Sequence, residues 1–143
     1  MGPIEALMAD RIRIPIESEG DIVTARQHAR ALARHLDFSP SDRIRLVTAI
    51  TEVARNLLDH STGGEILLSL AAREEEEGVV IVGRDHGPGI PDVERALRVG
   101  FSTRGGMGLG LAGVRSLTHE FGMESRVPDG TTVTAKRWVG GLA

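Results

Sequence analysis

Asn56 is the only asparagine in the chain, and it stands inside a run with helical spacing, TEVARNLLDH over residues 51–60. Asparagine is a poor helix former. A chain that otherwise avoids it, yet places one mid-helix, has a use for its amide. Glu52 lies four residues earlier and so shares a helical face with Asn56. Val53 and Leu57 fall on a different face and point to a core. A carboxylate and an amide stacked at the rim of a buried stripe suit a general base and a ligand for metal or phosphate. A solvated polar helix face would show the same spacing.

A second cluster is Gly83-Arg84-Asp85-His86-Gly87-Pro88-Gly89-Ile90. It follows the apolar run VVIV over residues 79–82, which reads as a strand buried on both faces. A buried aspartate is costly unless paired. Asp85 is placed to accept a hydrogen bond from the exocyclic amino group of a base. Gly87 and Gly89 would let the backbone lie flat against such a ligand. An Asp-led turn is the alternative reading of DHGPG.

The third cluster is Gly100-Phe101-Ser102-Thr103-Arg104-Gly105-Gly106-Met107-Gly108-Leu109-Gly110-Leu111, running into a helix. Glycine-rich backbone feeding a helix N-terminus presents free N–H groups and a favourable dipole to an anion. Arg104 adds a cation for a charge-assisted contact. Gly108-x-Gly110-x-x-Gly113 matches the dinucleotide fingerprint, but no strand precedes it and no βαβ unit surrounds it. The Walker pattern is absent, and the only lysine is Lys136 near the C-terminus. P-loop and protein-kinase-fold readings therefore drop out.

These residues need elements to hold them. Residues 11–16, RIRIPI, alternate and read as a strand, with Pro15 marking an edge. Residues 22–36 and 42–59 carry apolar side chains at helical spacing, the second with Leu46, Ile50, Val53 and Leu57 in one stripe. Residues 65–71 read as a strand, and the acidic run 74–77 as a solvated hairpin turn. A short helix over 92–99 and a loop over 100–108 follow. A helix over 109–120 turns Leu111, Val114 and Leu117 inward, and a closing hairpin pairs 123–127 with 131–138 around Pro128-Asp129-Gly130. The order β-α-α-β-β-α-α-β-β predicts an α+β sandwich, with a mixed, mostly antiparallel sheet and the long helices on one face. His28 and His35 read as surface residues, and Trp138 as core or edge packing.

Composition narrows the class. At 143 residues the chain reads as one domain over 1–143, with residues 1–9 and 140–143 as its loose ends. There is no cysteine, which excludes disulfides, thiolate metal sites and cysteine nucleophiles. Net charge is −3 with 3% aromatics and no basic arm, which argues against a nucleic-acid surface. Apolar runs are too short for a membrane span, and the first residues do not read as a signal peptide. A cytoplasmic protein is expected. Of the eighteen glycines, twelve lie after residue 83, where the second and third motifs fall.

An acidic/Asn helix, a DxGxG strand exit and a GxGxG loop before a helix, in this order, resemble the GHKL ATPase superfamily of gyrase, Hsp90, histidine kinases and MutL. The resemblance covers nearly the whole chain and includes Gly130-Thr131-Thr132 before the last strand. It implies the Bergerat form of the α+β sandwich, with ATP and Mg²⁺ as cofactors. By position, Glu52 would activate the nucleophile and Asn56 would hold magnesium. Asp85, with Gly87, Gly89 and Ile90, would read the adenine amino group. Gly105, Gly106, Met107, Gly108, Leu109, Gly110 and Leu111 would wrap the triphosphate, with Arg104 and Thr132 completing the site. The chain is shorter than gyrase, Hsp90 or a histidine kinase with its phosphoacceptor helix. It is most similar to the small RsbT-type switch kinases of bacterial stressosomes, with anti-sigma-factor kinases as relatives. The latter continue past the asparagine into an Asn-rich turn, where this chain has LLDHST. RsbT-type proteins carry an arginine just before the asparagine, as Arg55 stands here.

That resemblance implies phosphoryl transfer from Mg-ATP to a serine or threonine of a STAS-domain partner, with Arg55 or Arg104 at the γ-phosphate. It further implies activation of a PP2C-type phosphatase on release from a stressosome-like complex, and allows a homodimer. Sequestration of a sigma factor and a non-catalytic docking role stay open beside it.

Overall fold

The computed structural model describes residues 11–60, 63–74, 76–85, 110–126 and 130–139. Strand β1 (Ile12–Ile16) leads into two long helices, α1 (Glu19–His35) and α2 (Pro40–His60). A hairpin follows, β2 (Gly64–Arg73) and β3 (Glu76–Asp85). Then come a short helix, α3 (Gly110–Leu117), and a second hairpin, β4 (Glu120–Arg126) and β5 (Gly130–Trp138). The expected helix over 92–99 and loop over 100–108 lie outside the described residues, as do both chain ends. Each remaining expected element is present, with ends shifted by a few residues.

The five strands form one sheet in the order β1-β2-β3-β5-β4, and every described ladder is antiparallel. Pro15 sits on the edge strand β1, where its missing N–H costs no ladder bond. Alternation along β2, β3 and β5 turns Ile66, Leu68, Val79, Ile81, Val133 and Ala135 toward the helices, and all are buried. Val80 and Val82, on the other face, are only half-buried. The run 79–82 is thus not enclosed on both sides as its composition suggested, because the described helices cover one face alone.

Local chemistry explains the helix ends. Asp21 Oδ2 accepts the backbone N–H groups of Glu17 and Ser18, at 2.9 and 3.1 Å, and so fastens the start of α1. At its other end Phe38 N–H reaches Ala33 O and Asp37 N–H reaches Arg34 O, with Asp37 left-handed at φ 62°. This is a Schellman cap with aspartate where glycine is usual. Pro40 opens α2 in the first-turn position it tolerates, and Ser39 Oγ accepts the Asp42 N–H at 3.2 Å. The predicted stripe is the core: Leu46, Ile50, Val53 and Leu57 of α2 are all buried, with Ile22, Ala25, Ala29 and Leu32 of α1. Burying each large aliphatic side chain contributes roughly 1.5–3 kcal/mol.

One contact across this core had no sequence signal. Arg137 of β5 is fully buried and pairs with Asp42 of α2, which also binds Arg45 at 3.0 Å. Burial pushes the Arg137 guanidinium down from its usual pKa, and the Asp42 charge opposes that shift. His119 Nδ1 accepts the Trp138 N–H at 3.1 Å beside it, and Trp138 Nε1 donates to Glu120 Oε2 at 3.0 Å. Trp138 is core packing, as expected.

Candidate functional site

Asp85 ends β3 and is 7% exposed. Its Oδ1 accepts the backbone N–H of Thr131 at 3.3 Å. A carboxylate has about four acceptor positions, so this bond leaves capacity for a ligand amino group. Thr131 is itself buried and shares a hydroxyl contact with Ser125 Oγ at 2.9 Å. The β4–β5 hairpin therefore fixes the wall beside Asp85. Period-two alternation puts Thr132 on the opposite face of the sheet, paired across to Arg84 and Glu124. Thr131 is the threonine that stands with Asp85. Its buried partners Val133 and Ala135 on alternate positions were the signal for it.

Glu52 and Asn56 are both half-buried on α2, flanking the buried Val53 and Leu57. A close approach brings this part of α2 to the end of β3. A Cβ on Gly83 would lie 2.4 Å from Val53 Cγ1. Only glycine lets the helix sit this near the strand that carries Asp85. The helix–strand seam thus brings the Glu52–Asn56 rim to the same end of the sheet as Asp85 and Thr131.

Chain lengths agree with that placement. Asp42, clamped to Arg137, lies fourteen residues before Asn56, about 21 Å along the helix axis. Arg137 lies six residues beyond Thr131, about 20 Å along β5. The buried ion pair at one end therefore sets the axial position of the rim at the other.

Arg55 forms an ion pair with Glu19 in the first turn of α1. Leu111, buried, begins α3 together with Gly110. The first turn of α3 carries no acidic side chain, whereas α1 has Glu19 and Asp21 there and α2 has Asp42. An uncompensated helix N-terminus suits a phosphate. Gly87, Gly89, Ile90, Arg104, Gly105, Gly106, Met107, Gly108 and Leu109 lie outside the described residues.

On the outer face Glu65 binds Arg84 at 3.1 Å and also Arg13, tying β1, β2 and β3 together. Partial burial alone would raise the Glu65 pKa. The hydrogen bond and charge of Arg13, with Arg84, outweigh it and hold the carboxyl below its usual value. Arg84 is thereby neutralised next to Asp85.

The donor set fits magnesium nucleotide rather than a protein-caged metal. Among the described residues no three His, Asp or Glu side chains converge. Mg²⁺ commonly takes one or two protein oxygens, with phosphates and water supplying the rest. Asn56 offers one such oxygen, Asp85 an acceptor for a base, and α3 an anion-favouring terminus.

The chain is similar to known proteins in sequence and in fold. The family model described as histidine kinase-, DNA gyrase B-, and HSP90-like ATPase matches residues 41–138. A protein of Bacillus subtilis (strain 168) named serine/threonine-protein kinase RsbT is 41% identical over 132 residues, spanning 92% of this chain and 99% of that protein. An anti-sigma F factor of Geobacillus stearothermophilus is 29% identical over 118 residues, covering 79% of this chain and 81% of its own. The mycobacterial sensor histidine kinase MprB has a similar fold, with a TM-score of 0.51 at 19% identity, over 92% of this chain and 99% of that one. By the family match over most of its length, and by its 41% identity to a serine/threonine-protein kinase, the chain belongs to the histidine kinase-, DNA gyrase B- and HSP90-like ATPases.

Proposed function

We propose that this protein is an ATP-dependent serine/threonine kinase of a bacterial partner-switching module, acting in the cytoplasm on a STAS-domain protein and activating a PP2C-type phosphatase once released from it. The observation that carries this reading is the Gly83–Val53 seam, which brings the Glu52–Asn56 rim to the Asp85 end of the sheet. The 41% identity to a serine/threonine-protein kinase supports the same chemistry.

Magnesium-bound ATP supplies the transferable phosphoryl group and spreads its developing charge. Asp85 accepts from the adenine amino group, with Thr131 as its wall and Gly87, Gly89 and Ile90 against the ring. Asn56 holds the magnesium through its amide oxygen. The glycine segment 105–110 and the α3 terminus, with Leu111 behind them, hold the phosphates. Glu52 takes the proton of the partner's hydroxyl, and no covalent enzyme intermediate is needed. Catalysis is then positioning and charge neutralisation. Arg104 or Arg55 meets the γ-phosphate, and Arg55 would first exchange its Glu19 partner.

Calorimetric titration with ATP, with and without Mg²⁺, tests the nucleotide reading. One saturable site with tighter binding in Mg²⁺ is expected, and Asn56→Ala should lose the Mg²⁺ increment. No binding under either condition would overturn it. Transfer is tested separately with Glu52→Gln, which should bind ATP as the wild type does but pass no phosphate to a STAS-domain protein. Wild-type transfer by this variant would remove Glu52 as the base. The similarity to anti-sigma F factors favours a second reading, sequestration of a sigma factor. Nucleotide-dependent capture of a purified sigma factor, with no transfer to STAS domains, would select it.

A further inference from the structure

A groove of about 540 Å³ runs between α1 and α2, lined by Arg30 and Arg34 of α1 and by Pro40, Arg43, Ile44 and Val47 of α2. Besides its buried stripe, α2 thus carries a second apolar line, Pro40, Ile44 and Val47, at i, i+4 and i+7. Ile44 is 69% exposed, more than any other large hydrophobic among the described residues.

The rim of this groove is cationic and uncompensated. Arg30 and Arg34 stand one helical turn apart, a like-charge spacing that destabilises a helix. Among the described residues neither has a carboxylate partner. Arg43 Nε donates to the Phe38 carbonyl at 2.9 Å, not to an acid. Asp37, in the turn joining the helices, pairs with none of them. Three guanidiniums around an apolar floor run against a net charge of −3. Guanidinium groups pair best with carboxylates, often bidentately.

We propose that this groove docks a protein partner through an acidic amphipathic helix. Apolar side chains of that helix cover Ile44 and Val47, and its carboxylates meet Arg30, Arg34 and Arg43. A second copy of this chain would bring the same three positive charges to the face. A nucleic-acid backbone would leave Ile44 and Val47 uncovered. The groove lies at the opposite end of α2 from Glu52 and Asn56, so docking leaves the nucleotide end open. The inference stands independently of whether phosphoryl transfer occurs.

Fluorescence anisotropy tests it, using a labelled synthetic helix with one leucine stripe flanked by glutamates and a counterpart flanked by lysines. The glutamate helix should bind saturably, more weakly as salt is added, and the lysine helix should not bind. Affinity should fall at least about tenfold in Ile44→Glu and in the Arg30→Glu/Arg34→Glu double variant, the loss expected for charge-assisted contacts. Unchanged ATP titration in these variants shows that the fold survives. Equal binding of both helices, or binding indifferent to the substitutions, overturns the proposal. So does tighter binding of duplex RNA at the same residues, which assigns the groove to nucleic acid. A wild-type dimer that Ile44→Glu dissociates in sedimentation assigns it to a second copy instead.

Discussion

At the scale of the residue, the informative positions are those where chemistry and surroundings disagree. His28 read as a surface residue, yet it is half-buried on α1 with Nδ1 enclosed and without a hydrogen-bond partner among the described residues. Burial lowers its pKa below the ordinary 6.5. The unfolded chain then holds a proton that the folded chain refuses. The stability this site contributes is complete above about pH 6.5 and is lost as pH falls below it. His28→Gln should flatten that slope, read as urea midpoints between about pH 7.5 and pH 5.5. Parallel slopes for wild type and variant would assign the loss to another group. Asn56 stands out in the sequence by one compositional fact, its uniqueness, and lies half-buried on the rim of α2. The structure puts Thr131, and not the expected Thr132, beside Asp85, because the GTT motif does not say which threonine faces in. Only the register of β5 against β3 decides that.

At the scale of the element, period is what made the fold readable. The alternation of β1 and the 3.6-residue stripe of α2 marked both correctly, since each buries one face. The boundary between α3 and β4 was not readable. Residues 118–120 continue an apparently helical sequence, but Thr118 Oγ1 turns back to Val114 O at 2.8 Å and His119 N–H bonds Lys136 O at 2.9 Å. Strand pairing to a distant segment ends the helix there, and a local window does not contain that segment. The seam between α2 and β3 makes a sharper prediction. Gly83→Ala places a Cβ 2.4 Å from Val53 Cγ1, so the helix must move off the strand. We expect a loss of about 1–3 kcal/mol in denaturant unfolding, with weaker ATP binding as the Glu52–Asn56 rim shifts. Wild-type nucleotide affinity in a folded variant would show that the seam does not set the site.

At the scale of the whole molecule, the Asp42–Arg137 pair joins positions 95 residues apart, which no local pattern could reveal. Asp42 had read only as part of the helix start. Removing one partner of a buried pair strands the other charge, so Asp42→Asn should cost about 3–5 kcal/mol in urea unfolding. A loss under about 1 kcal/mol would mean that water reaches Arg137 after all. The same helix that this pair clamps is unbroken for 21 residues. Its first turns wall the arginine groove, and its last turns carry the Glu52–Asn56 rim. On the two proposals above, its two arms would serve two different ligands. A tilt that suited one occupant would then be felt by the other, and thermodynamic linkage would make the effect mutual. Whatever factor a docked partner imposed on nucleotide affinity, nucleotide would impose on the partner's affinity, so the nucleotide concentration would set how much of the complex forms.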